Sequence, residues 1–270
     1  MSFFNETQTQ KIVALAFEAG EIAKKFFKTH NLKIEKKSDN SDVTNADIAI
    51  SKFFKIELEK EFPQIPVICE EGSLRNVESE IFWLIDPIDG TNSFIEGSNE
   101  FAINIALIKK EKPVFGLIYA PVFEGGKMAF VNSENKVSII LGDQKEKILV
   151  TKKLDKSNIR IVTSPRTKNE DIQNYIEQFH LKNSNKIIVE RLASAVKFFR
   201  LIEGDADIYL HLRRSMEWDI AAGHALVEFM NGKVKNFFFN HKDSVVGGEM
   251  IYNKSNFENS AFIAEIGEGV

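Results

Sequence analysis

The spacing of apolar positions changes along the chain, and the changes divide it. Between Thr7 and about Lys28, Ile12, Leu15, Ala16, Ala19, Ile22, Ala23 and Phe26 recur at helical spacing behind a Thr7…Gln10 capping-box pattern, which predicts an amphipathic helix. The polar stretch from Glu35 to Asp42 predicts a loop or hairpin, and Thr44…Asp47 then opens a second helix that runs to about Pro63. Val67 to Cys69 reads as a short buried strand. Ile81 to Asp86 is an apolar run closed by Pro87. Phe101 to Ile108, Pro113 to Ala120, Lys127 to Asn132 and Lys136 to Leu141 read as strands joined by short turns, hence an antiparallel sheet.

After about residue 150 the pattern alternates. Arg160 to Thr163 (strand), Asn169 to Phe179 (helix), Lys186 to Val189 (strand), Ser194 to Glu203 (helix), Ala206 to Leu210 (strand) and a helix from Asp219 make this half α/β. The expected organisation is an α+β half over residues 1–150 and an α/β half over residues 151–270. No repeat and no Pro/Gly/Ser-rich linker separates them, so they are expected to pack closely.

With 270 residues, 43% hydrophobic and 27% charged, the chain can bury a large core, which excludes disordered and fibrous classes. A formal net charge of -4 gives no electrostatic case for nucleic acid or an anionic membrane, so the expected partner is a small molecule. Cys69 is the only cysteine, which allows no intrachain disulfide and suits a reducing compartment. Met1 to Glu6 lacks the features of a signal peptide, and no stretch approaches ~18 apolar residues. The expected location is therefore cytoplasmic, with peripheral association at the inner face of the membrane left open.

The candidate chemistry lies in carboxylates. Asp86-Pro87-Ile88-Asp89-Gly90-Thr91 sets one carboxylate at the end of a buried strand and a second three residues on, across a proline that restricts the turn. Gly90 allows close backbone approach to a ligand, and N–H groups after Asp89 could cradle a phosphate. Glu70-Glu71 ends a strand upstream, and Asp219 opens a helix in Trp218-Asp219-Ile220-Ala221-Ala222-Gly223. Singly, each acid reads as a cap or turn residue. Together and without counter-charge they would be costly to keep ionised, whereas divalent cations turn the cluster into a site. Oxygen-only donors suit Mg2+, and the five scattered histidines show no zinc-ligand spacing. Phosphate-monoester hydrolysis requires accelerations of up to ~10^21. One general base supplies only about 10^2 to 10^4, so metal ions would carry most of the rest.

Glu70-Glu71, Asp86 to Thr91 and Trp218 to Gly223 together resemble the inositol monophosphatase superfamily. Asp42 to Ala49, Phe101 to Ile108 and Gly116 to Pro121 resemble its CysQ-like branch of 3'(2'),5'-bisphosphate nucleotidases, and the similarity runs from the first helix to Phe262. The resemblance implies a layered αβαβα sandwich of the inositol monophosphatase and fructose-1,6-bisphosphatase type. It implies two or three Mg2+ ions held by Glu70, Asp86, Asp89, Asp219 and the Ile88 carbonyl. Gly90 and Thr91 would hold phosphate, while Glu70 and Thr91, the latter supported by Asp47, would activate water.

Ser194, Lys197, Arg214 and Asp219 would contact substrate. The implied reaction is hydrolysis of the 3'-phosphate of adenosine 3',5'-bisphosphate to AMP, linked to sulfate assimilation and turnover of that nucleotide, with inhibition by lithium. A monomer or homodimer is expected. Without the resemblance, Lys197 reads as a solvated helix lysine, Asp47 as a cap and Glu71 as a surface acid. Thr167 and His211 depart from the branch, which carries histidine and arginine there, and Ala193 replaces a glycine. Arg166 and Arg213 are candidates to compensate. Inositol monophosphate or a sugar bisphosphate is the alternative substrate on the same fold. A phospho-aspartate mechanism would need aspartate at position 87, where Pro87 stands, and an idle binding protein should have lost one of the acids.

Overall fold

The computed structural model describes residues 2–72, 77–151, 158–179, 186–239 and 244–267. Helix α1 (Glu6–Phe26) is capped two residues earlier than the sequence pattern suggests. Asn5 Oδ1 accepts from the Gln8 N–H at 2.9 Å, and Gln8 Oε1 accepts from the Asn5 N–H at 3.1 Å. Asparagine caps at least as well as threonine, and Asn5…Gln8 offers the same spacing as Thr7…Gln10. The polar stretch forms an antiparallel hairpin, β1 (Ile34–Lys36) and β2 (Asp42–Thr44). Helix α2 (Asn45–Glu61) starts where expected, with Thr44 and Asp47 forming a reciprocal box.

One seven-stranded sheet then follows in sequence order: β3 (Val67–Cys69), β4 (Ile81–Asp89), β5 (Ala102–Lys109), β6 (Lys112–Ala120), β7 (Lys127–Val131), β8 (Val137–Leu141) and β9 (Lys147–Ile148). Only β3 and β4 run parallel. The short helix α3 (Thr91–Ile95) interrupts the path between β4 and β5. A second, six-stranded sheet uses β10 (Asn158–Thr163), β11 (Lys186–Arg191), β12 (Ile208–His211), β14 (Gly232–Phe238), β15 (Val245–Glu249) and β17 (Ala261–Ile266), in the order β11-β10-β12-β17-β14-β15. The two-stranded ribbon β13 (Ser215–Met216) and β16 (Glu258–Asn259) stands beside it. The remaining helices are α4 (Asn169–Gln178), α5 (Val196–Ile202) and α6 (Glu217–Phe229).

Side-chain alternation fixes the layers. Along β10 and β12, Ile159, Ile161, Ile208 and Leu210 point into a small core with Ile172, Tyr175 and Ile176 of α4. Val162 and Tyr209, one residue out of phase, point into the main core with α5 and α6. Helices α1 and α2 pack on the first sheet, while α6 packs against β4 to β7 and also against β14 and β17. The resulting sequence of layers is α1/α2, first sheet, α5/α6, second sheet, α4, the expected αβαβα sandwich. Helix α6 lies close to β6 because position 116 is glycine: a Cβ there would fall 2.2 Å from the Ala222 carbonyl oxygen.

Strands β14, β15 and β17 lie beyond the last element that the sequence pattern predicted. Strand β17 is nonetheless central, hydrogen-bonded between β12 and β14. Among the described residues no helix is long and apolar enough to cross a membrane.

Candidate active site

The fully buried run Phe82 to Ile85 carries β4 through the core and delivers Asp86, 1% exposed, beneath the floor of a cleft of about 800 Å3 that Glu70, Asp89 and Asp219 line. The strand does not stop at Asp86. Asp86 pairs with Asn104 and Asp89 with Ala102, so one extra residue sits on β4 as a bulge around Pro87 and Ile88. The bulge turns Asp89 toward the cleft, and the Ile88 N–H donates to Asp86 Oδ1 at 3.0 Å. Gly90 follows at φ +88°, where a Cβ would meet both the Glu100 carbonyl oxygen and the Ser194 Cβ at 3.0 Å. Glycine lets the chain turn here and seat against Ser194, in the segment that leads into α5.

Residues far apart in sequence meet at this floor. Glu70, Asp86 and Asp219 each present a carboxylate oxygen, all within 4.8 Å of one another. Asp219 keeps the capping role, accepting from the Met216 N–H at 2.8 Å, while also facing the cluster. Burial, then Glu70, Asp89 and Asp219, drive the pKa of Asp86 well up. Burial, then Asp89 and Glu70, do the same to Asp219. Asp89 is pushed up to about 6 by burial, against the pull of Lys197 and the Ala195 N–H.

This is the electrostatic signature of carboxylates assembled for a cation. A stand-in is visible: the Lys37 ammonium sits 2.7 Å from Glu70 and 2.6 Å from Glu71. Burial alone would lower the Lys37 pKa, but Glu70 and then Glu71 outweigh it and hold it above its ordinary value. Glu71, expected at the surface, is instead a 7% exposed side chain beneath Lys37, with its pKa raised to about 7 chiefly by burial. An oxygen-only donor set of this kind fits a hard divalent cation.

Asp47 reconciles its two readings. One oxygen caps α2 by accepting from the Thr44 N–H at 2.9 Å, and the other accepts from the Thr91 hydroxyl at 3.4 Å. Thr91 Oγ1 also lies 3.1 Å from the Ile88 carbonyl. Burial, opposed by the Thr44 bonds, raises Asp47 to about 6.

Lys197 is not a solvated lysine. It is 4% exposed, its ammonium donates to the Ser194 carbonyl, and it lies 5.3 Å over the Tyr209 ring. Burial lowers its pKa to about 8 against the fields of Asp89, Glu100 and Asp219. Ser194 and Lys197 both line the cleft with Gly90, Thr91 and Asp219. Arg214 is not brought there: its side chain is 85% exposed and its guanidinium faces Glu258 at 3.7 Å. The β12–β13 connection carries it outward, although Ser215 on the same connection lines the cleft.

Three residues escaped the sequence reading. Lys37 was hidden in a polar loop. Asn104, the one polar side chain in the run Phe101 to Ile108, spans β5 and α6: its Nδ2 donates to Asp89 at 3.5 Å and to the Asp219 carbonyl at 3.4 Å. Glu217, fully buried, accepts from the Asn253 and Lys254 N–H groups at 2.7 and 3.0 Å and so clamps the start of α6. An isolated polar residue in an apolar run, and an acid next to Trp218-Asp219, were the available signals.

The sequence profile of the inositol monophosphatase family matches residues 5–267. A 3'(2'),5'-bisphosphate nucleotidase CysQ from Buchnera aphidicola is 34% identical over 94% of this chain and 92% of its own. The crystal structure of CysQ from Bacteroides thetaiotaomicron superposes with a TM-score of 0.78 at 26% identity, covering 98% of both chains. An inositol monophosphatase from Anabaena shares the fold, with a TM-score of 0.68 at 24% identity over 97% of this chain and 91% of its own.

Proposed function

The chain belongs to the inositol monophosphatase family, and from that premise we propose that it is a Mg2+-dependent 3'(2'),5'-bisphosphate nucleotidase that hydrolyses adenosine 3',5'-bisphosphate to AMP and phosphate. The observation that carries the reading is the meeting of Glu70, Asp86 and Asp219 within 4.8 Å at the floor of a cleft large enough for a nucleotide. Its chemical class follows the relatives that match most of the chain, which are named as nucleotidases of this type.

Glu70, Asp86, Asp89, Asp219 and the Ile88 carbonyl are the groups assigned to two or three Mg2+ ions. Bound there, Mg2+ supplies charge for the phosphoryl oxygens and acidity for a water molecule. The protein's own part is positional. Thr91, held by Asp47 and the Ile88 carbonyl, presents its hydroxyl to the attacking water together with Glu70. Gly90 leaves the start of α3 open to the phosphate. Lys197 and Ser194 form the wall on the side of the second sheet. The oxygen of water bonds to phosphorus, the ester bond to the ribose oxygen breaks, and that oxygen leaves with a proton as the 3'-hydroxyl. The site lies where the halves 1–150 and 151–270 join, the first carrying Glu70 and Asp86 to Thr91 and the second Asp219. Cytoplasmic turnover of this nucleotide, as in sulfate assimilation, is the physiological setting proposed.

The test is phosphate release from adenosine 3',5'-bisphosphate and from inositol 1-phosphate at matched concentrations, with Mg2+ and with EDTA. Preference for the nucleotide, lost in EDTA, supports the proposal. Preference for inositol phosphate would keep the metal site and move the substrate, and turnover that survives EDTA would remove the metal chemistry.

A further inference from the structure

The chain between β11 and α5 takes a form that serine resists. Ser194 sits at φ +46°, in the left-handed region, where an L side chain crowds its own backbone. Its neighbours hold it there. The Leu192 N–H donates to the Thr163 carbonyl at 3.0 Å, which fixes the entry to the turn. The Ala193 N–H donates to Glu100 Oε2 at 2.7 Å, and the Ala195 N–H is hydrogen-bonded to the Asp89 carboxylate. The Val196 N–H reaches Ser194 Oγ at 3.4 Å, and the Ser194 carbonyl accepts from the Lys197 ammonium. Two carboxylates of the half 1–150 thus grip the backbone on either side of Ser194.

Glu100 is itself firmly placed. It lies between α3 and β5, its N–H donating to Ser98 Oγ at 3.3 Å, and the next residue, Phe101, is buried edge-to-face against Phe94 at 4.8 Å. Its carbonyl oxygen is one of the two atoms that a Cβ on Gly90 would meet. The main chain of Glu100 therefore abuts the turn after β4, while its side chain reaches the turn before α5. Its charge also acts on Lys197, together with Asp89 and Asp219. Ala193, Ser194 and Lys197 line the cleft, whereas Glu100 stands behind them and does not. One hydrogen bond to a charged acceptor is strong enough to keep a single residue in a left-handed conformation.

We infer that Glu100 is a positioning residue for substrate binding: its carboxylate holds Ser194 in the left-handed conformation and so presets the Ser194–Lys197 wall against Gly90 before substrate arrives. The inference rests on the nucleotidase reading above for the identity of the substrate. A wall whose backbone is already fixed loses little freedom on binding, so the contribution of Glu100 falls on KM rather than on kcat.

The experiment measures kcat and KM for adenosine 3',5'-bisphosphate with the full chain and saturating Mg2+. Glu100→Ala should raise KM by about 10-fold, the scale of one charge-assisted hydrogen bond, with kcat held within about 3-fold. Glu100→Gln keeps an acceptor and should restore most of the affinity. In a Ser194→Gly background, where the left-handed backbone is adopted without strain, Glu100→Ala should raise KM further by only about 3-fold or less. A second readout needs no substrate: in EDTA, the Ala193 amide should exchange with solvent deuterium at least about 10-fold faster in Glu100→Ala than in the wild type. Circular dichroism checks that each variant folds. An unchanged KM in Glu100→Ala, an equal loss in the Ser194→Gly background, or undiminished protection of Ala193 overturns the inference while leaving nucleotide hydrolysis intact. A wild type that cleaves inositol 1-phosphate and not the nucleotide overturns the nucleotidase reading instead, and the exchange of Ala193 with the same KM ratios, taken on inositol 1-phosphate, then decides the role of Glu100.

Discussion

The Lys37 ammonium bridges Glu70 and Glu71, 2.7 and 2.6 Å from their carboxylates, at the edge of the carboxylate cluster. An internal cation there competes with any external one for Glu70. Lys37→Gln should therefore lower the Mg2+ concentration needed for half-maximal binding by roughly 3- to 10-fold. Titration calorimetry measures this, and unchanged or weaker affinity would show that Lys37 assists the metal rather than opposing it.

Removing a charge from the cluster should stabilise the metal-free protein. Asp86→Asn relieves repulsion with Glu70, Asp89 and Asp219, so its Tm in EDTA should rise by several degrees, while turnover falls by at least about 1000-fold and the Tm increase on adding Mg2+ disappears. Differential scanning calorimetry with and without EDTA separates these effects. A lower Tm in EDTA would mean that Asp86 is held by favourable hydrogen bonding rather than strained by its neighbours.

Burial of the acids around the cluster sets a pH dependence. Asp47 and Asp89 are raised to about 6 and Glu71 to about 7, chiefly by burial. Their unfolded values lie near about 4. Between those limits the folded state binds more protons than the unfolded state, so stability falls as pH rises from about 4 through about 7. Urea unfolding in EDTA over that range should show the decline, and saturating Mg2+ should flatten it. Stability that rises with pH in EDTA would refute the assignment.

Gly90 is replaceable only at a cost. Alanine at φ +88° is strained by about 1–2 kcal/mol, and its Cβ would press on the Glu100 carbonyl and Ser194 Cβ at 3.0 Å. Gly90→Ala should lower Tm by roughly 3 to 8 °C and raise KM, because the start of α3 and the Ser194–Lys197 wall move apart. Thermal unfolding together with steady-state kinetics checks both, and a silent substitution would mean that the two segments yield easily.

What the sequence exposed was local. Asp86 to Thr91 and Trp218 to Gly223 carry their geometry in adjacent residues, so their meeting at the cleft could be anticipated from the motifs. Lys37, Asn104 and Glu217 act on groups distant in sequence, for example Asn253 in the case of Glu217, and no local pattern encodes such a partner. Arg214 illustrates the converse: a matching residue type at a matching position, turned outward by the backbone that carries it. The strands after α6 were missed because β14 mixes Lys233, Lys235 and Asn236 with its apolar positions and shifts register between Lys235 and Phe237, which breaks the two-residue period.

Helix α6 covers the first sheet although it is encoded after β12. During synthesis, strands β3 to β9 leave the ribosome before the helix that covers the face carrying Leu84, Ala106 and Ile118, the face on which Gly116 meets Ala222. The emerging sheet therefore presents an apolar face to solvent until Glu217 to Phe229 have been translated, an interval in which chaperones would have their main claim on this chain. Premature termination anywhere before α6 leaves a fragment that lacks Asp219 and exposes that face, so a truncated copy is at once chemically inert and prone to aggregate.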